Sequence, residues 1–160
     1  MTSKRSDRIL VLGMGSEALM DDGIPVHLIR DLKASVSDPH FTFLTSAVGG
    51  IELLTLLEGY DMAVIIDTIK TPGGKPGDLN HFTKDNFRET FNLSSNHDLS
   101  FRQALTFAGR LEMTMPVKIE ILAIEIAENH VLSHELSEPM QRRYPEILSE
   151  VRTFIKNMES

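Results

Sequence analysis

Apolar residues fall into two patterns along this chain. Short continuous runs stand at residues 8–13 (RILVLG), 62–66 (MAVII) and 117–125 (VKIEILAIE). Runs of this length suit strands covered on both faces, as in a parallel sheet. Residues 40–46 (HFTFLTS) alternate instead and predict a further strand. Elsewhere the apolar spacing turns helical. Ile24, Leu28 and Leu32 recur every four residues, and Pro25 suits a first helical turn. Gly49-Gly50 opens a second helix with Ile51, Leu54 and Leu57 on its apolar face. A third runs from about Asp98 through Ala108, carrying Phe101, Leu105 and Ala108. Pro145 is placed to start the last helix, where Ile147, Leu148, Val151, Phe154, Ile155 and Met158 form one stripe. Between the third strand and third helix, residues 70–95 are rich in glycine and proline (TPGGKPG) and read as loop. Residues 79–83 within it could pair as an edge strand.

The resulting order, β-α-β-α-β-loop-α-β-α, predicts an α/β fold. The expected architecture is a three-layer α/β/α sandwich around a central, largely parallel twisted sheet. The chain has 160 residues, which predicts a single domain over 1–160. Sixteen basic against twenty-three acidic side chains leave a net charge of −7. That balance disfavours a broad nucleic-acid or anionic-membrane surface. There are no cysteines, which removes disulfides, thiolate metal sites and cysteine nucleophiles. The start, MTSKRSD, does not read as a secretion leader, and no apolar stretch approaches the roughly 20 residues of a membrane helix. The expectation is a cytoplasmic protein.

Ligand sites in open α/β sheets gather beyond the carboxyl ends of the strands. Asp21 and Asp22 follow the first strand, Asp67 closes the third, and His97 lies on the loop that leaves it. If those strands are parallel neighbours, the acids emerge on one edge. Two carboxylates and an imidazole suit a borderline divalent cation such as nickel, zinc or manganese. Each also has a plainer reading: capping for the acidic pair, a turn residue for Asp67, an exposed loop side chain for His97. Gly13-x-Gly15 hints at a nucleotide loop, but Ala18 stands where a third glycine is expected and two acids follow. The other histidines, His27, His40, His81, His130 and His134, show no metal-ligand spacing. Spacing alone names no reaction.

Four blocks stand in order along the chain: ILVLGMGS with Asp21-Asp22-Gly23, SAVGGIELL, AVIID with Pro76-Gly77, and SSNHDL. Together they resemble the hydrogenase maturation proteases. The first is ILVLGMGS (residues 9–16) with Asp21-Asp22-Gly23, close to the family's strand, G-x-G-N turn and acidic pair. The second is SAVGGIELL (46–54), against the family's G-G-T-x-G-x-x-L-L. The third is AVIID (63–67), followed by Pro76-Gly77, and the fourth is SSNHDL (94–99). Ser16 replaces the usual asparagine, Pro25 a common glycine and Val48 a common threonine.

The resemblance implies a phosphorylase/hydrolase-like sandwich and an aspartic-type endopeptidase. Its partner would be the large-subunit precursor of a nickel-iron hydrogenase, from which it removes the C-terminal extension. Asp22, Asp67 and His97 match the family's metal-contacting positions and are the implied catalytic and metal residues. Nickel would be presented by the substrate rather than permanently bound, with other divalent cations able to take its place. A monomer with no nucleic-acid or membrane partner is expected. Rival readings are a non-proteolytic metal-binding or chaperone module and a nucleotide-binding regulator.

Overall fold

The computed structural model describes residues 7–93 and 100–159. Among these residues five strands form one sheet: β1 (Ile9–Met14), β2 (Phe41–Ser46), β3 (Met62–Ile69), β4 (Leu79–Thr83) and β5 (Lys118–Glu125). The helices are α1 (Ile24–Ser35), α2 (Ile51–Leu57), α3 (Phe101–Arg110) and α4 (Glu138–Lys156). The spatial strand order is β2-β1-β3-β5-β4. Every pairing is parallel except that of β4, which runs antiparallel along β5 at one edge.

The apolar runs are buried for the expected reason, since alternate residues of each strand feed opposite layers. Ile9, Val11, Val64, Ile66, Leu122 and Ile124 pack under α1 and α4. Leu10, Leu12, Ala63, Ile65, Ile119 and Ile121 pack against Leu53 and Leu57 of α2 and Phe101 of α3. Two helices thus cover each face, giving the three-layer sandwich. Among the described residues no helix is long and apolar enough to cross a membrane.

Three boundaries differ from expectation. The last helix begins at Glu138, with Pro139 in its first turn, so Pro145 lies inside it. A proline there removes one backbone hydrogen bond without ending the helix, because Met140 on one side and Ile147, Val151 and Ile155 on the other are buried against the sheet. β3 runs two residues past Asp67, which therefore sits within the strand. The third helix starts at Phe101, capped by Ser100, whose hydroxyl accepts from Gln103 N while the Gln103 side chain accepts from Ser100 N. Asp98, the expected start, lies outside the described residues.

The chain leaves β1 toward β2 on one side and later crosses to β3 on the other. The switch in direction therefore falls between β1 and β3, where an α/β sheet opens a crevice at its carboxyl edge.

Candidate active site

The turn after β1 is built by close packing. A side chain at Gly15 would start 2.0 Å from the Asp22 carbonyl oxygen, so only glycine lets the turn fold back on itself. Gly15 N donates to Ser46 O at 3.0 Å and Ser16 N to Asp22 Oδ2 at 3.0 Å. These two amides are the ones a phosphate-binding loop would leave free. They are used inside the protein, and Gly13-x-Gly15 serves the fold.

The turn continues into a one-turn 3-10 helix, Met20–Gly23, that carries both acids. Neither acid caps a helix: no side-chain cap bond forms at its start or at the start of α1. Asp21, fully buried, faces the other end of the chain. Its Oδ2 accepts from Glu128 N (2.8 Å), Ala127 N (3.2 Å) and Ser137 Oγ (2.7 Å), and its Oδ1 from Ser137 N (2.7 Å). It ties the turn to the segment between β5 and α4.

Asp22, 5% exposed, faces β3. Its Oδ1 accepts from Thr68 Oγ1 (2.8 Å) and Asn92 Nδ2 (2.9 Å). Asp67 is buried on β3. Its Oδ1 accepts from Thr68 N (2.8 Å) and Asn92 Nδ2 (2.8 Å), and its Oδ2 from Thr90 Oγ1 (2.6 Å) and Asn92 N (2.7 Å). The two carboxylates therefore converge on a single amide nitrogen. Burial pushes the Asp67 carboxyl up to about 7, and the hydrogen bonds from Thr90, Asn92 and Thr68 only partly offset it.

The loop that brings Asn92 here is held twice. Phe91 N donates to Thr68 O at 3.0 Å, extending the edge of β3. Gly50 N donates to Leu93 O at 2.8 Å, and a side chain at Gly49 would start 2.1 Å from Asn92 O. The second glycine block is thus a flat bed for residues 92–93. Exposed apolar side chains Val48, Ile51 and Phe91 stand on the segments that meet there.

Of the expected site residues, Asp22 and Asp67 are brought together across the switch point. His97 lies outside the described residues. Among the described residues no three His, Asp or Glu side chains form a metal-holding group. Thr68, Thr90 and Asn92 are not among the residues expected from the sequence, and Ser16 stands there only as a replacement for the usual asparagine. Thr68 directly follows Asp67, and Asn92 stands just before the SSNH block; no other local signal marks them.

A buried carboxylate pair at the switch point of a parallel sheet defines a candidate acid-base or cation-binding α/β protein. The comparisons carry this further. The family model for HycI, hydrogenase maturation protease, matches residues 26–153, a span that holds Asp67 and His97 and begins just after Asp22. The chain belongs to this family, and it is a hydrogenase maturation endopeptidase. It is 29% identical over 128 residues to the hydrogenase 2 maturation protease of Escherichia coli (strain K12), covering 78% of this chain and 77% of that one. The fold is similar to that of the hydrogenase maturating endopeptidase HybD from E. coli, with a TM-score of 0.73, 22% identity and coverage of 94% and 93%. It is also similar to that of the [NiFe] hydrogenase maturation protease HycI from Thermococcus kodakarensis, with a TM-score of 0.64, 18% identity and coverage of 96% and 95%.

Proposed function

We propose that this endopeptidase removes the C-terminal extension of a nickel-iron hydrogenase large-subunit precursor, and that it does so once nickel is in place. The observation that carries the reading is the convergence of Asp22 and Asp67 on one nitrogen, at the switch point, in a chain of this family. Relatives of the same fold are described as [NiFe] hydrogenase maturation proteases.

Asp22 and Asp67 supply anionic oxygens, and His97, by its match to the family pattern, supplies a nitrogen. That donor set suits nickel and other borderline cations. The metal belongs to the substrate. A loaded precursor gains affinity through these side chains, and an empty one meets two carboxylates with no cation between them, so binding energy is tied to loading. Nickel bound this way would place the adjacent peptide over the pair. A carboxylate is then the group at hand to take a proton from the attacking water. With no cysteine in the chain, a thiolate acyl-enzyme is excluded. The exposed Val48, Ile51 and Phe91 give an extended peptide an apolar surface beside the acids.

The test is to incubate the purified protein with a precursor large subunit, nickel-loaded or nickel-free, and to read intact masses. Loss of a C-terminal peptide from the loaded form alone is expected. Cleavage of both forms would keep the protease and remove the metal checkpoint. Cleavage of neither would favour a non-proteolytic binding module.

A further inference from the structure

Two carboxylates in one buried pocket repel each other, and removing them from water strengthens that repulsion. The fold offsets it with Asn92. Its Nδ2 carries two hydrogens and donates one to Asp22 Oδ1 at 2.9 Å and one to Asp67 Oδ1 at 2.8 Å. Ionised carboxylates only accept, so in the charged pair it is the nitrogen of this amide, with its partial positive charge, that must face them.

We propose that Asn92 is a displaceable latch: its side-chain amide bridges Asp22 and Asp67 in the metal-free protein and must leave that seat when a divalent cation enters. The inference rests on the reading of Asp22 and Asp67 as cation ligands. Carboxylate oxygens hold such a cation at about 2.0–2.2 Å. A cation touching both Oδ1 atoms would occupy the space the NH2 group now fills. An amide nitrogen has no free lone pair to offer, so it cannot stay as a ligand.

The backbone is already prepared for this exchange. Asn92 N is held by Asp67 Oδ2 at 2.7 Å, its carbonyl lies against Gly49, and Leu93 O is held by Gly50 N. Leu93 itself is fully buried. The side chain can therefore rotate about its own bonds while the loop stays in place. Asn92 acts through the two acids and is a positioning residue. It keeps the pair preformed and sets a threshold that a weakly binding cation would not cross.

The experiment is 15N NMR of the whole chain, titrated with zinc ion as a diamagnetic probe, alongside calorimetric titration of wild type and Asn92→Ala with zinc and nickel ions. In the metal-free protein the Asn92 NH2 protons should exchange slowly. On titration their signals should move to free-amide positions in step with shifts at Asp22 and Asp67. Asn92→Ala should melt lower without metal and bind either ion about tenfold tighter, because no amide competes. A purely structural role would weaken binding. If Asp22 and Asp67 shift while the Asn92 NH2 signals stay, or if Asn92→Ala binds no more tightly, the latch is overturned and the site reading stands. If metal moves neither acid, the latch is overturned, and the cleavage assay on loaded and empty precursor decides the site reading separately. The NMR arm uses unmodified protein, so it decides even if the variant does not fold.

Discussion

Asp21 and Asp22 share one short 3-10 helix, and both are buried, yet a single peptide bond sends their carboxylates to different parts of the molecule. Asp21 is answered mainly by backbone amides: Ala127 N, Glu128 N and Ser137 N, with the Ser137 hydroxyl completing the set. Asp22 is answered mainly by side chains, Thr68 and Asn92, that can rotate away. A carboxylate fixed by backbone donors behaves as a structural tie. One held by rotatable donors can exchange them for another partner. The same chemical group is thus committed at one position and available at the next.

The largest expected effect comes from removing the tie. Asp21→Ala leaves three backbone amides without their acceptor and should cost about 3 kcal/mol or more of stability, read by urea denaturation. At temperatures where it stays folded, it should keep much of its cleavage activity. Asp22→Asn should do the reverse, with cleavage of a loaded precursor falling at least about a hundredfold and the melting temperature barely moving. If Asp22→Asn destabilised the protein as much as Asp21→Ala, the division of labour would be wrong.

Asp67 sharpens the contrast through pH. Its carboxyl rises from the ordinary 3.8 to about 7 on folding. Between those values the folded chain holds a proton that the unfolded chain releases. This group's contribution to stability therefore falls as pH rises through that window and is level above it. A loss of roughly 2–4 kcal/mol between pH 4 and 7.5 is expected from this group. Denaturation curves of wild type and Asp67→Asn at both pH values isolate it, since the variant should lack that slope. The smallest effect is Ser137→Ala, which removes one hydroxyl donor from Asp21 and keeps the backbone one. It should cost about 1 kcal/mol and leave cleavage unchanged.

The sheet was legible because buried parallel strands write themselves as apolar runs, and β1, β3 and β5 each did so within a few residues. β4 was readable as an edge from residues 79–83. The start of α4 was not, because two prolines compete for the first turn and only packing shows that Pro139 holds it. Asp22 and Asp67 could be placed on one edge from topology and family pattern. Their division from Asp21 could not, because a carboxylate's partners are set by contacts far along the chain. Thr68 meets Asp22 across 46 residues and Asn92 across 70. Nothing near Asn92 in sequence distinguishes it from an ordinary loop residue.

The Asp21 tie also orders events in time. Its partner Ser137 lies 116 residues away, at the threshold of the final helix. A contact of that separation closes late, after the shorter-range pairings have formed. On a ribosome, the turn that bears Asp22 stays without its anchor until the C-terminal segment has emerged. The strands on either side of the crevice can pair earlier, but the turn gains its anchor only from nearly the whole chain. In a nascent or truncated copy that turn is held less firmly, and its full stability arrives together with completion of the fold.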